Sequence, residues 1–175
     1  IRDYKVTGVQ TCALPICTTP QGVASAAASA RVSEPPIRLV RHGPLKLRLL
    51  LTLDQLQALF DAHSFWARHR SRPLLARMLL GSSAVVSAWR DGQLVGIGRA
   101  TSDGVFRAVL WDVVVAAELQ GQGLGRRIVQ ALISSPALAA TERIYLMTTN
   151  SSGFYERLGF TLNHGQQLLV RHYNN

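Results

Sequence analysis

The run Trp111–Leu132, WDVVVAAELQGQGLGRRIVQAL, restricts the fold more than any other part of the sequence. An apolar, strand-like stretch leads into glycines at alternate positions, Gly121, Gly123 and Gly125, and then into an amphipathic run with Arg126 and Arg127 at its head. A strand that passes directly into a helix belongs to a layered α/β structure. Glycines at the junction let the backbone turn sharply, and the first N–H groups of a helix have no intrahelical acceptor. Such a junction is suited to hold an anion. Glycine ahead of a helix is also a common tight corner, so the loop alone does not name a ligand. Its spacing is neither G-x-G-x-x-G nor a loop ending in G-K-[ST], which argues against a dinucleotide or P-loop nucleotide site.

The neighbouring sequence extends the α/β reading. AVVSAWR (84–90) and LVGIGRAT (94–101) read as strands joined at Asp91-Gly92-Gln93, and VFRAVLWDVVV (105–115) follows a second turn at Ser102-Asp103-Gly104. The three form an antiparallel meander. Downstream, a helix is predicted from about Leu124 to Ser134, a strand in RIYLMTT and a short helix in SSGFYERLG. FTLN and QLLVRHY read as a closing hairpin around His164-Gly165. Upstream, KLRLLLTL (46–53) reads as the first strand. LDQLQALFDAHSFWARH carries Leu53, Leu56, Leu59, Phe60 and His63 at helical spacing, and Pro73 opens PLLARMLL, which Gly81 closes. The predicted class is α/β, a mixed, mostly antiparallel sheet flanked by helices.

At 175 residues the chain is one domain with a tail, and no apolar run approaches the ~18 residues of a membrane span. The net charge of +9 favours an anionic partner. Arginines scattered over solvated faces explain it equally well, since no block of five like charges occurs. Thr7–Ile16, TGVQTCALPI, reads as the translation of a short-read sequencing adapter, so residues 1–17 are taken as a scar. Residues 18–45 read as a disordered tail or linker and 46–175 as the folded domain. Both cysteines, Cys12 and Cys17, lie in the scar, so the body offers neither a disulfide framework nor a thiolate metal site.

Two motifs then carry a resemblance. Gln120-Gly121-Gln122-Gly123-Leu124-Gly125 resembles the Q/R-x-x-G-x-G/A motif of the GNAT superfamily of N-acetyltransferases, and Asn150–Phe160, NSSGFYERLGF, resembles that family's second signature. The resemblance covers roughly Leu47 to His172. RATSDGVFRAVLWDVVV and YLMTTNSSGFYERLGF are similar to the cyanobacterial and plastid branch, described as serotonin-type arylalkylamine and, in plastids, protein acetyltransferases. It implies a GNAT fold, acetyl-CoA as cosubstrate, no metal, and direct transfer in a ternary complex to a small-molecule or peptide amine. It implies that the backbone of Val113, Val114 and Val115 pairs with the pantetheine arm. Gly121, Gln122, Gly123, Leu124, Gly125 and Arg126 would hold the pyrophosphate, and Tyr155 would protonate the departing sulfur. Asn150 would bond the pantetheine or else cap the following helix.

Other roles stay open on the residues themselves. Asp112 is either the general base or the partner of an arginine such as Arg99 or Arg107, because a carboxylate in an apolar strand needs a partner or a task. Glu118 is a candidate base through water, and His63 fits a rim histidine better than a base. Phe65, Trp66 and Tyr173 suit an aromatic acceptor wall, though packing explains them too. No nucleophile triad is evident. A basic nucleic-acid-binding module is the competing reading, but no helix-turn-helix, zinc finger or RNP-type strand supports it. A non-catalytic acyl-CoA-binding domain is another. No nucleic acid or membrane partner is predicted, and the state is monomer or homodimer. The setting is a bacterial cytoplasm, with a plastid as the alternative.

Overall fold

The computed structural model describes residues 35–43 and 52–172, all within the unit Glu34–Asn175. Local turn chemistry organises the sheet. Asp91 and Gly92 take φ of 51° and 73°, the left-handed pair that matches strand twist in a tight hairpin, and join β2 (Ala84–Arg90) to β3 (Gln93–Ser102). Asp103 shapes the next turn: its Oδ1 accepts the backbone N–H groups of Val105, Phe106 and Arg107 at 2.9, 2.8 and 3.0 Å, leading into β4 (Arg107–Val115).

The sheet has five strands in the order β1-β2-β3-β4-β5. The first three pairings are antiparallel and β4 runs parallel to β5 (Arg143–Leu146), so the mixed, mostly antiparallel sheet read from the sequence is observed. Strand β1 (Arg38–His42) corrects the reading of 18–45 as tail or linker. Its arginines and the flanking prolines and glycine mimic linker composition. Leu39 and Val40 are nevertheless half-buried, and the strand pairs along β2 from Arg38↔Trp89 to His42↔Val85. Of the strand expected at KLRLLLTL, residues 46–51 lie outside the described residues, and Leu53 already begins α1.

Helix α1 (Leu53–His63) covers the residues at helical spacing and stops short of the rest of the run, where Ser64 takes an extended backbone (φ −139°, ψ 114°) and turns its Oγ onto the Phe60 carbonyl at 3.0 Å. Helix α2 (Arg72–Leu80) has Pro73 in its first turn and ends at Gly81. In α3 (Leu124–Ile133), Leu124, Ile128, Val129, Ala131 and Leu132 form the buried stripe. This helix lies directly against β3, where a Cβ on Gly96 would fall 2.9 Å from Ile128 Cδ1 and one on Gly98 2.8 Å from Ile128 Cγ2. Alternate residues of a strand face opposite ways, so Arg99 points to the other side of the sheet.

Helix α4 (Ser152–Glu156) follows β5. The expected closing hairpin is a second correction, since residues 160–172 contain no strand and Leu162, Leu168, Leu169 and Val170 are exposed. Leu168-Leu169-Val170 is a run rather than an alternation, so neither face of that segment is marked for burial and no register is specified.

Candidate active site

Strand β4 is interrupted where the site begins. It pairs with β3 at Gly96↔Val115 and Ile97↔Val114, and resumes at Arg99↔Trp111, so Asp112 and Val113 together oppose Gly98. This is a β-bulge, with Asp112 at φ 48°. Strand β5 accompanies β4 only from Arg107 to Leu110. Beyond the bulge, the edge of Asp112–Val115 that faces away from β3 has no strand beside it among the described residues. An extended, amide-bearing ligand could add there as a strand does.

The glycine loop begins just past that edge. Gly121 and Gly123 have φ of 74° and 81°, and a Cβ on either would meet nothing within 4 Å, so the backbone conformation demands glycine while the space around it is open. Gly123 is the N-cap of α3 and offers no side-chain acceptor, leaving the first-turn N–H groups of Leu124, Gly125 and Arg126 facing outward. Exposed Arg126 adds positive charge at the positive end of the helix, an arrangement that an anion would relieve. Arg127 donates to the Ile37 carbonyl at 3.1 Å, tying α3 to the start of β1. The glutamine side chains brace the loop: Gln122 Nε2 donates to the Glu118 carbonyl at 2.9 Å and Gln120 Nε2 to that of Val115 at 3.0 Å. Gln122 therefore contributes to the loop's shape with its side chain and can meet a ligand with its backbone.

Gly125 has a different reason to be glycine. A Cβ there would lie 3.4 Å from the Phe154 ring and 3.8 Å from Val115 Cγ2. The two sequence motifs thus meet in space, with Phe154 packing α4 against the head of α3 and the end of β4. Tyr155, the next residue, is half-buried, with ring centroids 4.8 Å from Phe154 and 5.9 Å from Phe160, both edge-on. Burial pushes its phenol pKa above the ordinary 10.0, so the hydroxyl stays protonated at neutral pH. It lines a cavity of about 540 Å³ together with Val109, Ile144, Leu146 and Phe160. Asn150 lies exposed between β5 and α4 and accepts from Ser151 Oγ at 3.3 Å; the N-cap of α4 is Ser151.

Asp112 has partners. Its Oδ2 lies 2.6 Å from Arg99 Nε and its Oδ1 3.4 Å from Arg70 Nη1, with the side chain 6% exposed. The ion-pair alternative is the one observed, with Arg70 as the second partner; Arg107 instead pairs with Glu142 at 3.1 Å. Both carboxylate oxygens are engaged by guanidinium groups. Arg70 was not legible, because nothing in a sequence links a loop arginine to a carboxylate 42 residues later. His63 Nδ1 accepts the Ala117 N–H at 3.3 Å, while Glu118 sits 3.8 Å from Arg90; both border a separate hollow of about 390 Å³ at the end of β4. Phe65 and Trp66 are exposed and packed edge-to-face at 5.0 Å, and Tyr173 lies outside the described residues.

Comparison with known proteins agrees with this geometry. A family model described as the Acetyltransferase (GNAT) family matches residues 52–160. GCN5-related N-acetyltransferase 1, chloroplastic, from Arabidopsis thaliana is 35% identical over 111 residues, covering 63% of this chain and 56% of that protein. Serotonin N-acetyltransferase 2, chloroplastic, from Oryza sativa subsp. japonica is 42% identical over 79 residues, covering 41% and 36% respectively. The match thus spans less than two thirds of either relative. A crystal structure of a GNAT-family protein from Xanthomonas campestris pv. campestris superposes with a TM-score of 0.67 at 27% identity, covering 81% of this chain and 95% of that one. A family match extending from the start of α1 to the end of the second motif settles the assignment: the chain belongs to the GNAT acetyltransferase family.

Proposed function

We propose that the protein is an acetyl-CoA-dependent N-acetyltransferase that acetylates a primary amine by direct transfer. The observation that carries this reading is the meeting of three features: the open edge of β4, the unpaired amides at the head of α3, and α4 with Tyr155, joined through the Gly125–Phe154 contact. The backbone of Val113–Val115 fits an extended pantetheine arm. Gly121–Arg126 fit a pyrophosphate, because outward N–H groups, a helix N-terminus and an arginine converge on open space. Exposed Asn150, between β5 and α4, is the side chain we assign as a polar contact for the arm. When bound, acetyl-CoA supplies an acetyl group activated as a thioester.

The chain's own contribution is positioning, charge and a proton. An amine must be neutral to attack, and a leaving thiolate needs a proton. Tyr155 holds that proton at its Oη, kept there by burial. Of the two residues Val114 and Val115, the backbone N–H of Val115 faces the open edge, since that of Ala116 turns to the Val95 carbonyl, and it is the one we assign to stabilise developing negative charge on an acyl oxygen. With Asp112 locked between arginines, we assign deprotonation of the amine to water, with Glu118 or His63 at the neighbouring hollow as the side chains able to pass the proton on.

An arylalkylamine is the favoured acceptor, with a protein amine as the alternative. The exposed Phe65–Trp66 pair offers faces for an aromatic ring, and one relative is named a serotonin N-acetyltransferase. The chloroplastic names of the relatives favour the plastid alternative over a bacterial cytoplasm. The test is release of free CoA thiol from acetyl-CoA, with tryptamine, serotonin, spermidine and a lysine-containing peptide offered separately. Turnover on the arylalkylamines is the expected result. Turnover on the peptide alone would transfer the assignment to a protein acetyltransferase, and silence on all four with acetyl-CoA still bound would favour a non-catalytic acyl-CoA-binding domain.

A further inference from the structure

The Asp112 carboxylate receives two guanidinium groups from different parts of the fold. Arg99 belongs to the adjacent strand, and its 2.6 Å contact holds the bulge within the sheet. Arg70 comes from the loop 64–71 between α1 and α2. Its Nη1 lies 3.4 Å from Asp112 Oδ1 and 3.6 Å from Met78 Sδ of α2, and its guanidinium sits 5.8 Å from the centre of the Phe60 ring of α1. One side chain thereby touches α1, α2 and β4 together.

The loop backbone is fastened around it. Gln57 Nε2 donates to the Arg70 carbonyl at 3.0 Å, and the His69 N–H donates to Asp61 Oδ1 at 2.7 Å, with His69 at φ 61°. The other end is fixed by buried Ser64 on the Phe60 carbonyl. Between these ends stand Phe65 and Trp66, 68% and 49% exposed. An aromatic pair held rigidly in water fills no core.

We propose that Arg70 is a positioning residue for the acceptor amine, tying the Phe65–Trp66 loop to the β4 bulge from which the open edge of Asp112–Val115 begins. The proposal rests on the acetyltransferase reading above. Arg70 acts through the loop and touches no reacting atom. When Arg70 is removed, Asp112 keeps Arg99, so the bulge and the cofactor edge beside it persist and the defect falls on the amine.

The test uses the full chain with Arg70→Ala and Arg70→Lys, and tryptamine and acetyl-CoA as probes. Arg70→Ala is expected to raise the KM for tryptamine about tenfold while that for acetyl-CoA stays within about twofold. Arg70→Lys restores part of the loss, because an ammonium can reach Asp112 but cannot spread over the Phe60 ring. An unchanged KM for tryptamine, or an equal rise in both KM values, overturns the proposal. Hydrogen exchange provides a readout independent of turnover: amides of 64–71 should exchange about tenfold faster in Arg70→Ala while exchange of 109–115 is unchanged. Unchanged exchange in the loop overturns the tether even if activity falls. A wild-type protein that turns over no amine, with loop exchange still dependent on Arg70, would sink the acetyltransferase reading and leave the tether standing.

Discussion

Tyr155 and Asp112 are the two polar side chains singled out for proton transfer, and their surroundings differ. The phenol has aromatic neighbours and keeps its proton at neutral pH. Tyr155→Phe should lower kcat by about 100-fold with acetyl-CoA affinity unchanged, as measured by thiol release and titration calorimetry. The same shift has a sign in stability. The folded-state pKa lies above the unfolded 10.0, so the contribution is complete below pH 10 and is lost as pH rises through the folded value. Alkaline melting curves of Tyr155→Phe should therefore lack a component of destabilisation that the wild type shows above about pH 10. Asp112, by contrast, is held between Arg99 and Arg70. Asp112→Asn should cost about 3 kcal/mol in urea unfolding, by leaving two arginines without their carboxylate, and should leave kcat within about tenfold for the folded fraction. A kcat loss beyond about 1,000-fold at unchanged stability would return Asp112 to the role of base.

Between β3 and α3, the glycines set how close two elements can come. A Cβ on Gly98 collides with Ile128 Cγ2 at 2.8 Å and Leu132 Cδ1 at 2.9 Å, whereas one on Gly96 meets the mobile end of Ile128, Cδ1, at 2.9 Å. Each alanine substitution should cost about 1–3 kcal/mol, with Gly98→Ala the worse. Adding Ile128→Val should relieve Gly96→Ala and leave Gly98→Ala unrelieved; equal behaviour of the two pairs in thermal melts would contradict this packing. The contrast shows what a sequence can and cannot convey about such elements. The meander was legible because Asp91-Gly92 and Asp103 fix their turns locally, and α3 because its apolar stripe repeats at helical period. Strand β1 was not, since two arginines in five residues hide a strand whose burial comes from pairing with β2. The closing hairpin was over-read from apolar content without alternation. At the site, the glycine loop and the segment carrying Tyr155 were each marked by a motif that resembles the family's, and the structure brings the two together through Gly125 and Phe154. The Arg70–Asp112 contact and the packing of Phe154 on Gly125 are tertiary facts with no local signal.

Among the described residues, four carboxylates are matched to arginines: Asp54 with Arg72, Glu118 with Arg90, Glu142 with Arg107, and Asp112 with Arg70 and Arg99. With a net charge of +9, the surplus positive charge includes Arg126 at the head of α3, where a polyanionic cofactor would be drawn to it. Affinity for acetyl-CoA should therefore fall as salt rises. The bulge divides the sheet into a closed part, where β5 accompanies β4, and an open part that ends at the glycine loop, so one irregularity at Asp112–Val113 leaves the unpaired edge of β4 beside the loop, against which Phe154 packs α4. The most direct test of that arrangement is titration calorimetry of acetyl-CoA into the wild type and Gly123→Ala. The account predicts one-to-one binding by the wild type. In the variant it predicts a loss of about tenfold or more in affinity against a stability cost of only about 1–2 kcal/mol, because the added methyl strains the left-handed backbone at φ 81° and enters the space the pyrophosphate needs. No binding by the wild type, or equal affinity in the two proteins, would contradict it.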